Sequence, residues 1–362
     1  MMNQTLLVSS IARLPLLIPA LALLGLPSGL SLPSGVPAGP TGLVDDAPVL
    51  APVEGHRVRR SFEQSVELEA TTIELFQNDE TREMEGSLVQ TMDEKIVVED
   101  EFVSVDGGRV LALRRHFIEL PRELVNTADD VEMEDTEESE LEGEAVLFEW
   151  DEEDGEWQRS YAEDSEADED LLDGLVFDMD MTELLPDGEV DVNDSWTFEG
   201  EGLRWLLSPG GELGRESTTR EKSEIDELID EAGDEMWADM DGGFTVTYTG
   251  AEESDGVNVA VFTLEADFEG MGEAREDLEE VDGERFVKDH FHFEGEGELR
   301  WDLDAKCLAS SSLEGTISVS RTVGFETEGP DGEPFVAGQT IALEGPLSQS
   351  MTVETVGASD DE

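Results

Sequence analysis

The sequence of 362 residues predicts an α+β fold made mainly of antiparallel β-structure, a curved sheet or half barrel with one or two covering helices. Three observations predict it. Apolar and polar residues alternate with period two over most of the chain after residue 54, glycine-rich turns separate these runs, and only two segments show helical spacing. Strands with one apolar face joined by short turns form an antiparallel sheet with one solvated side.

The elements follow in order. Residues 1–38 read as a secretory signal peptide, because Leu14–Leu26 is an apolar run of 13 residues, too short for a bilayer span of about 20. An uncleaved anchor is the alternative, since no clean small-residue cleavage motif follows. Residues 39–53 are Pro- and Gly-rich and read as a linker, 54–356 as the β-rich body and 357–362 as a tail. In the body, Phe62, Val66, Leu68 and Ala70 share one parity, and Asp106-Gly107-Gly108 joins two strands as a hairpin. Between Asp129 and Glu144 ten of sixteen residues are acidic and none is basic, which predicts a mobile segment at about 129–144; a second is expected at 163–170. Residues 145–161 read as another hairpin.

One helix is expected from Leu171 through Leu175 to Met179, and a second from a Thr218/Glu221 capping box through Ile225, Leu228, Ile229, Ala232 and Met236. The C-terminal third reads as four or more strands, with Phe291, Phe293, Leu299 and Trp301 on one face and His290, His292, Glu294 and Arg300 on the other.

With 21 Lys and Arg against 92 Asp and Glu, the formal charge is −71. Nucleic-acid binding through basic patches is excluded. Such a surface stays soluble where cations screen it, so diffuse cations are expected partners. The lone Cys307 excludes an internal disulfide and a multi-cysteine zinc site.

Val192–Gly202 and Val287–Gly297 echo each other, sharing valine, aspartate and the string FEGEG. They read as an internal repeat whose strands flank one apolar cavity lined by Phe198, Trp205, Phe291, Phe293, Leu299 and Trp301. Gly295 and Gly297 sit on the apolar parity, where a missing side chain leaves room for a packed helix, a bulge or a ligand.

No GxSxG, HExxH, Walker A, GxGxxG or CxxC string occurs, and the acidic clusters miss EF-hand spacing. The pair His290-x-His292 with Glu294 has a spacing able to bind metal from a sheet, but alternating His and Glu is also what a solvated strand face looks like. No catalytic, metal or cofactor residue is assigned.

The string LLPDGEVDVNDSW at Leu184–Trp196 resembles the LP-x-G-x-V-x-V-G-D-S-W element of uncharacterised bacterial secreted β-rich domains, some of which are similar to half-barrel lipoprotein carriers of the cell envelope. Pro186, Val190, Val192, Asp194, Ser195 and Trp196 match, while Asn193 stands where glycine is usual. The resemblance implies an exported, periplasmic, envelope or extracellular, antiparallel fold able to hold an apolar ligand, with no catalytic residues. The function expected is an exported non-enzymatic binding module for apolar or lipid-like molecules. The alternatives are an acidic, cation-associated structural or surface-interaction protein, and a hydrolase without a recognised motif.

Overall fold

The computed structural model describes residues 50–356 except 130, 164, 166, 187, 189, 200–205, 221, 255, 279–282, 330 and 331. The signal-peptide and tail readings, and Trp205, therefore lie outside the described residues. So does most of the linker, although Leu50 already packs on the core and the Ala51 amide donates to the Lys306 carbonyl. The body thus begins a few residues before the expected Glu54.

The fold is one antiparallel sheet of fifteen strands, with one complete α-helix among the described residues. The strands are β1 (Arg57–Gln77), β2 (Glu80–Glu83), β3 (Leu88–Asp106), β4 (Arg109–Glu119), β5 (Arg122–Ala128), β6 (Val131–Ser139), β7 (Ala145–Asp151) and β8 (Glu156–Tyr161), then β9 (Ser195–Glu199) and β10 (Arg215–Ser217). After the helix α1 (Glu224–Ala238) come β11 (Asp241–Ser254), β12 (Val257–Asp277), β13 (Gly283–Asp302), β14 (Cys307–Glu328) and β15 (Pro334–Thr355). The main path runs β10-β6-β5-β3-β1-β15-β14-β13-β12-β11-β9 and does not close. At β3 the sheet forks: residues 88–94 pair with β5, while the other half pairs with β4, which continues to β7 and β8.

Alternation explains these strands. Along β12, Leu264, Ala266, Phe268 and Ala274 are buried while Glu265, Asp267, Glu269 and Glu273 are exposed. One face therefore packs and the other meets water. Both expected hairpins form, with Gly107 and Gly108 at positive φ between β3 and β4.

Three expectations are corrected. The acidic 129–144 segment is not a loop: residues 131–139 form β6 between β5 and β10. Its charges find donors there, as Glu137 meets Arg122 and Asp135 accepts from the hydroxyls of Ser217 and Thr219, while buried Leu141 pins the following turn. The 163–170 reading is not among them: residues 164 and 166 lie outside the described residues, the Asp168 carbonyl accepts from Tyr161, and a short 3-10 turn begins at Glu169. Residues 171–179 do not form an α-helix; after the 3-10 turn Glu169–Leu172 the chain runs irregularly across the sheet. The helix α1 starts at Ser223, whose backbone amide and hydroxyl both donate to Asp226, while Thr218 instead donates its amide to Thr136.

The helix rests on β12 and β13 through Leu228, Ile229, Ala232, Ala274 and Val287. Its closest approach is at Gly270 and Gly272, where a β-carbon would meet the helix backbone at Met236 and Ala232. The interior-glycine seat foreseen for a packed helix exists, but on β12 and not at Gly295 and Gly297.

Candidate functional site: the strap across the apolar face

The segment Leu175–Leu184 crosses the apolar face from one edge of the sheet to the other. The Leu175 carbonyl accepts from Arg159 of β8, and Val176 and Phe177 carbonyls accept from Arg115 of β4. Asp180 meets Arg60 of β1 and the Leu308 amide of β14, and the Leu184 carbonyl accepts from Trp196 of β9. Between β8 and β9 lie ten inter-strand steps, about 48 Å along a sheet at ~4.8 Å spacing. Nine residue steps span at most about 32 Å fully extended, and the 3-10 turn Thr182–Leu184 shortens them further. The strap is a chord, and the sheet is the arc that curves around it.

A second segment returns over the same face. Carbonyls of Leu206 and Leu207 accept from Gln349 and Gln64, and the Val176 amide donates to Gly210. Gly211, at φ 88°, leaves no room for a side chain beside the Gly174 carbonyl. Leu172, Leu175, Met179, Met181, Leu184, Leu206, Leu207 and Leu213 thereby fill the concave side.

The strap is anchored by a buried ion network. Asp100 accepts from Arg60 Nη1 at 2.6 Å and from Arg115 Nε and Nη2 at 2.8 and 2.9 Å, and Arg60 Nη2 reaches Asp180 at 2.5 Å. Arg60, Asp100, Arg115 and Asp180 are all buried. Burial by itself pushes the Arg60 guanidinium down, but the charges of Asp180 and Asp100 more than offset this and hold it above its usual range. Burial, reinforced by Asp180, pushes the Cys307 thiol up to about 12, so it stays an inert thiol. The edge arm holds a second network of Glu94, Arg122, Arg215 and Glu137, in which burial pushes Arg215 down to about 10.

The strand members Arg60, Asp100 and Arg115 carry a sequence signal that alternation alone passed over: each is polar on the core parity of its strand. Arg60 stands between Val58 and Phe62, Asp100 between Val98 and Phe102, and Arg115 between Leu113 and Phe117.

Asp178, on the strap, is pushed up to about 6, first by burial and then by the charge of Asp180, against hydrogen bonds from Thr182 and the Asp180 amide. A carboxyl with a raised folded-state pKa holds its proton more tightly folded than unfolded. Its contribution favours folding below about pH 4 and is lost as pH rises through about 6. Urea midpoints compared between wild type and Asp178→Asn should therefore show the wild-type advantage shrinking between pH 4 and 6; a pH-independent difference would contradict this.

The expected cavity residues are distributed as follows. Phe291, Phe293, Leu299 and Trp301 are buried together in the core, and Phe198 is half-buried against it. Gly295 pairs with Gly315, and the Phe293 ring lies over both, so it occupies the room the glycines leave. Gly297 faces Leu313 and the Ser312 carbonyl. The Trp301 indole N–H is buried without a partner. Two clefts, of about 610 and 390 Å³, lie beside His56 and Lys306 and between Arg57, Glu99 and Arg114. On the solvated face His290 and His292 sit beside Glu269 and Asp267, and among the described residues no three metal-binding groups are gathered.

The Leu184–Trp196 element behaves as its turn chemistry requires. Asn193 takes φ 76°, the left-handed conformation that glycine would supply, and Asp194 closes the turn on Asp191. Trp196 opens β9 and packs edge-on against Phe262.

No family model matches this chain, and no curated protein matches it. Among solved structures it is similar to an outer-membrane channel from Pseudomonas putida F1, at 9% identity over 90% of this chain and 100% of that one, with a TM-score of 0.20. It is also similar to OccK7 (OpdD) of Pseudomonas aeruginosa, at 9% identity over 83% and 99% with a TM-score of 0.19. A DUF1329 family protein from Desulfovibrio piger ATCC 29098 is similar at 9% identity over 83% and 88%, with a TM-score of 0.12. At such scores none of them assigns a family or a function, and the chain stands as a β-rich domain described by its own geometry.

Proposed function

We propose that this chain is an exported, non-enzymatic binding module that takes up an apolar or lipid-like molecule between the curved sheet and the strap crossing it. The observation that carries the reading is the strap itself. A ten-residue irregular segment covers a continuous apolar face and is held mainly by side chains reaching its carbonyls, not by a strand ladder. Such a cover can lift while the strand ladders beneath it stay paired, provided the Asp180–Arg60 ion pair opens. Its methionines, Met179 and Met181, are buried against that face and are side chains that repack easily around a guest. Export rests on the apolar run at Leu14–Leu26.

The polarity of the sheet argues against a lipid-embedded barrel. The face away from the strap carries Glu265, Asp267, Glu269 and Glu273 on one strand, where a lipid-facing surface needs apolar residues. The greasy side points inward, onto the chain's own strap and helix.

Titration with a solvatochromic fatty-acid probe tests the reading. One saturable site per chain with a blue-shifted emission is expected. Phe177→Ala removes the ring stacked on Trp157 at 3.9 Å and should speed uptake by loosening the strap. A signal that never saturates, or none, overturns the proposal.

A further inference from the structure

We propose that the molecule taken up under the strap carries a carboxylate on its apolar chain, and that this carboxylate displaces Asp180 of the strap from Arg60 and the Leu308 amide. The inference rests on the reading that an apolar molecule enters between sheet and strap, and it names the head group. In the closed chain Asp180 occupies that place: its Oδ2 accepts from Arg60 Nη2 at 2.5 Å and its Oδ1 from the Leu308 amide at 3.3 Å. Met179 and Met181 flank it in sequence, and all three are buried. The strap thus presents one carboxylate between two flexible apolar side chains, the chemistry of an amphipathic acid.

Charge decides what can replace Asp180. The network holds two guanidinium groups, Arg60 and Arg115, and two carboxylates, Asp100 and Asp180. Lifting the strap withdraws Asp180 and leaves Asp100 alone between both arginines, with one positive charge in excess. Water solvates such a charge, but an apolar tail filling the space above it does not. A neutral guest therefore raises the cost of the open state, while an anionic guest removes it. Arg60 also has a donor to spare: its Nε is buried with no acceptor among the described residues, as is the indole N–H of Trp301, the residue directly opposite Leu308. A carboxylate fits better than a phosphate, because the place is already shaped by a carboxylate and has a single charge to balance. The chain as a whole, at a formal charge of −71, repels anions, so a preference for a charged over a neutral head group has to come from a local cation.

The test is calorimetric titration of the full chain with decanoate and with decanol, which share a chain length and differ in the head group. Decanoate should bind at one site per chain and about 30-fold more tightly, the order that the overall charge opposes. Asp180→Asn keeps the side chain's shape and removes the competing charge, so it should widen the preference by about 10-fold, while Arg60→Met should abolish it. The wild-type comparison requires no variant to fold. Decanol binding as tightly as decanoate overturns this proposal and leaves the apolar site standing; saturable binding of neither overturns both. A preference for decanoate that persists in folded Arg60→Met, or that Asp180→Asn fails to widen, places the carboxylate elsewhere and likewise overturns it.

Discussion

Asp100→Ala is expected to lower the unfolding free energy by about 3–5 kcal/mol, the usual loss when one member of a buried ion network is removed. Asp100 is the shared acceptor of two guanidinium groups, both nearly inaccessible to water. Without it Arg60 keeps Asp180, but Arg115 retains only the carbonyls of Val176 and Phe177. A full positive charge is then left in the core without a counter-charge. The loss should also release the strap, since Arg115 ties it to β4. A urea titration measures the change, and urea is preferred to guanidinium because its neutrality leaves the surface charge unscreened. Lys95→Ala provides the contrast: its pair with Glu119 is exposed and screened by solvent, so its removal should leave the urea midpoint nearly unchanged. If Asp100→Ala proved equally mild, the network would have to be hydrated.

Gly272→Val should be the second large effect, about 3 kcal/mol or more at the upper end of overpacking penalties. A β-carbon at that position would overlap the Ala232 carbonyl and the Met236 amide, both backbone atoms of α1, so no side-chain rotation relieves the clash. The helix must lift from β12. Trp237, buried against Phe291 with ring centroids 5.6 Å apart, reports this directly as a red shift in fluorescence. Gly233→Ala, on the helix itself, meets no atom within 4 Å and should stabilise by about 0.5–1 kcal/mol through helix propensity. A destabilised Gly233→Ala alongside a tolerated Gly272→Val would invert the packing described here.

Strand parity was readable residue by residue. Phe291, Phe293, Leu299 and Trp301 fall on the buried face as alternation required, and the glycine turns at 107–108 and 155 lie between the strands they were expected to join. Helical spacing at 171–179 misled, because side chains of other strands hold the segment across the sheet: Arg159 and Arg115 take the carbonyls of Leu175, Val176 and Phe177. The acidic stretch after Asp129 misled for a related reason. Its counter-charges, Arg122 and Arg215, are adjacent only once β5 and β10 flank β6. Phe291, Phe293, Leu299 and Trp301 are buried and Phe198 half-buried, while the ring of Phe293 filling the space over Gly295 depended on the facing Gly315 of β14.

By itself the sequence determined which face of each strand turns inward, where the hairpins lie and that the exterior is anionic, because period-two alternation, turn residues and charge are local properties of the chain. The tertiary structure decided the strap, the fork at β3 and the buried ion network. Arg60 and Asp180 meet across 120 residues and Gln64 and Gln349 across 285, and such pairs exist only after the sheet has curved to bring its edges within reach of one short segment.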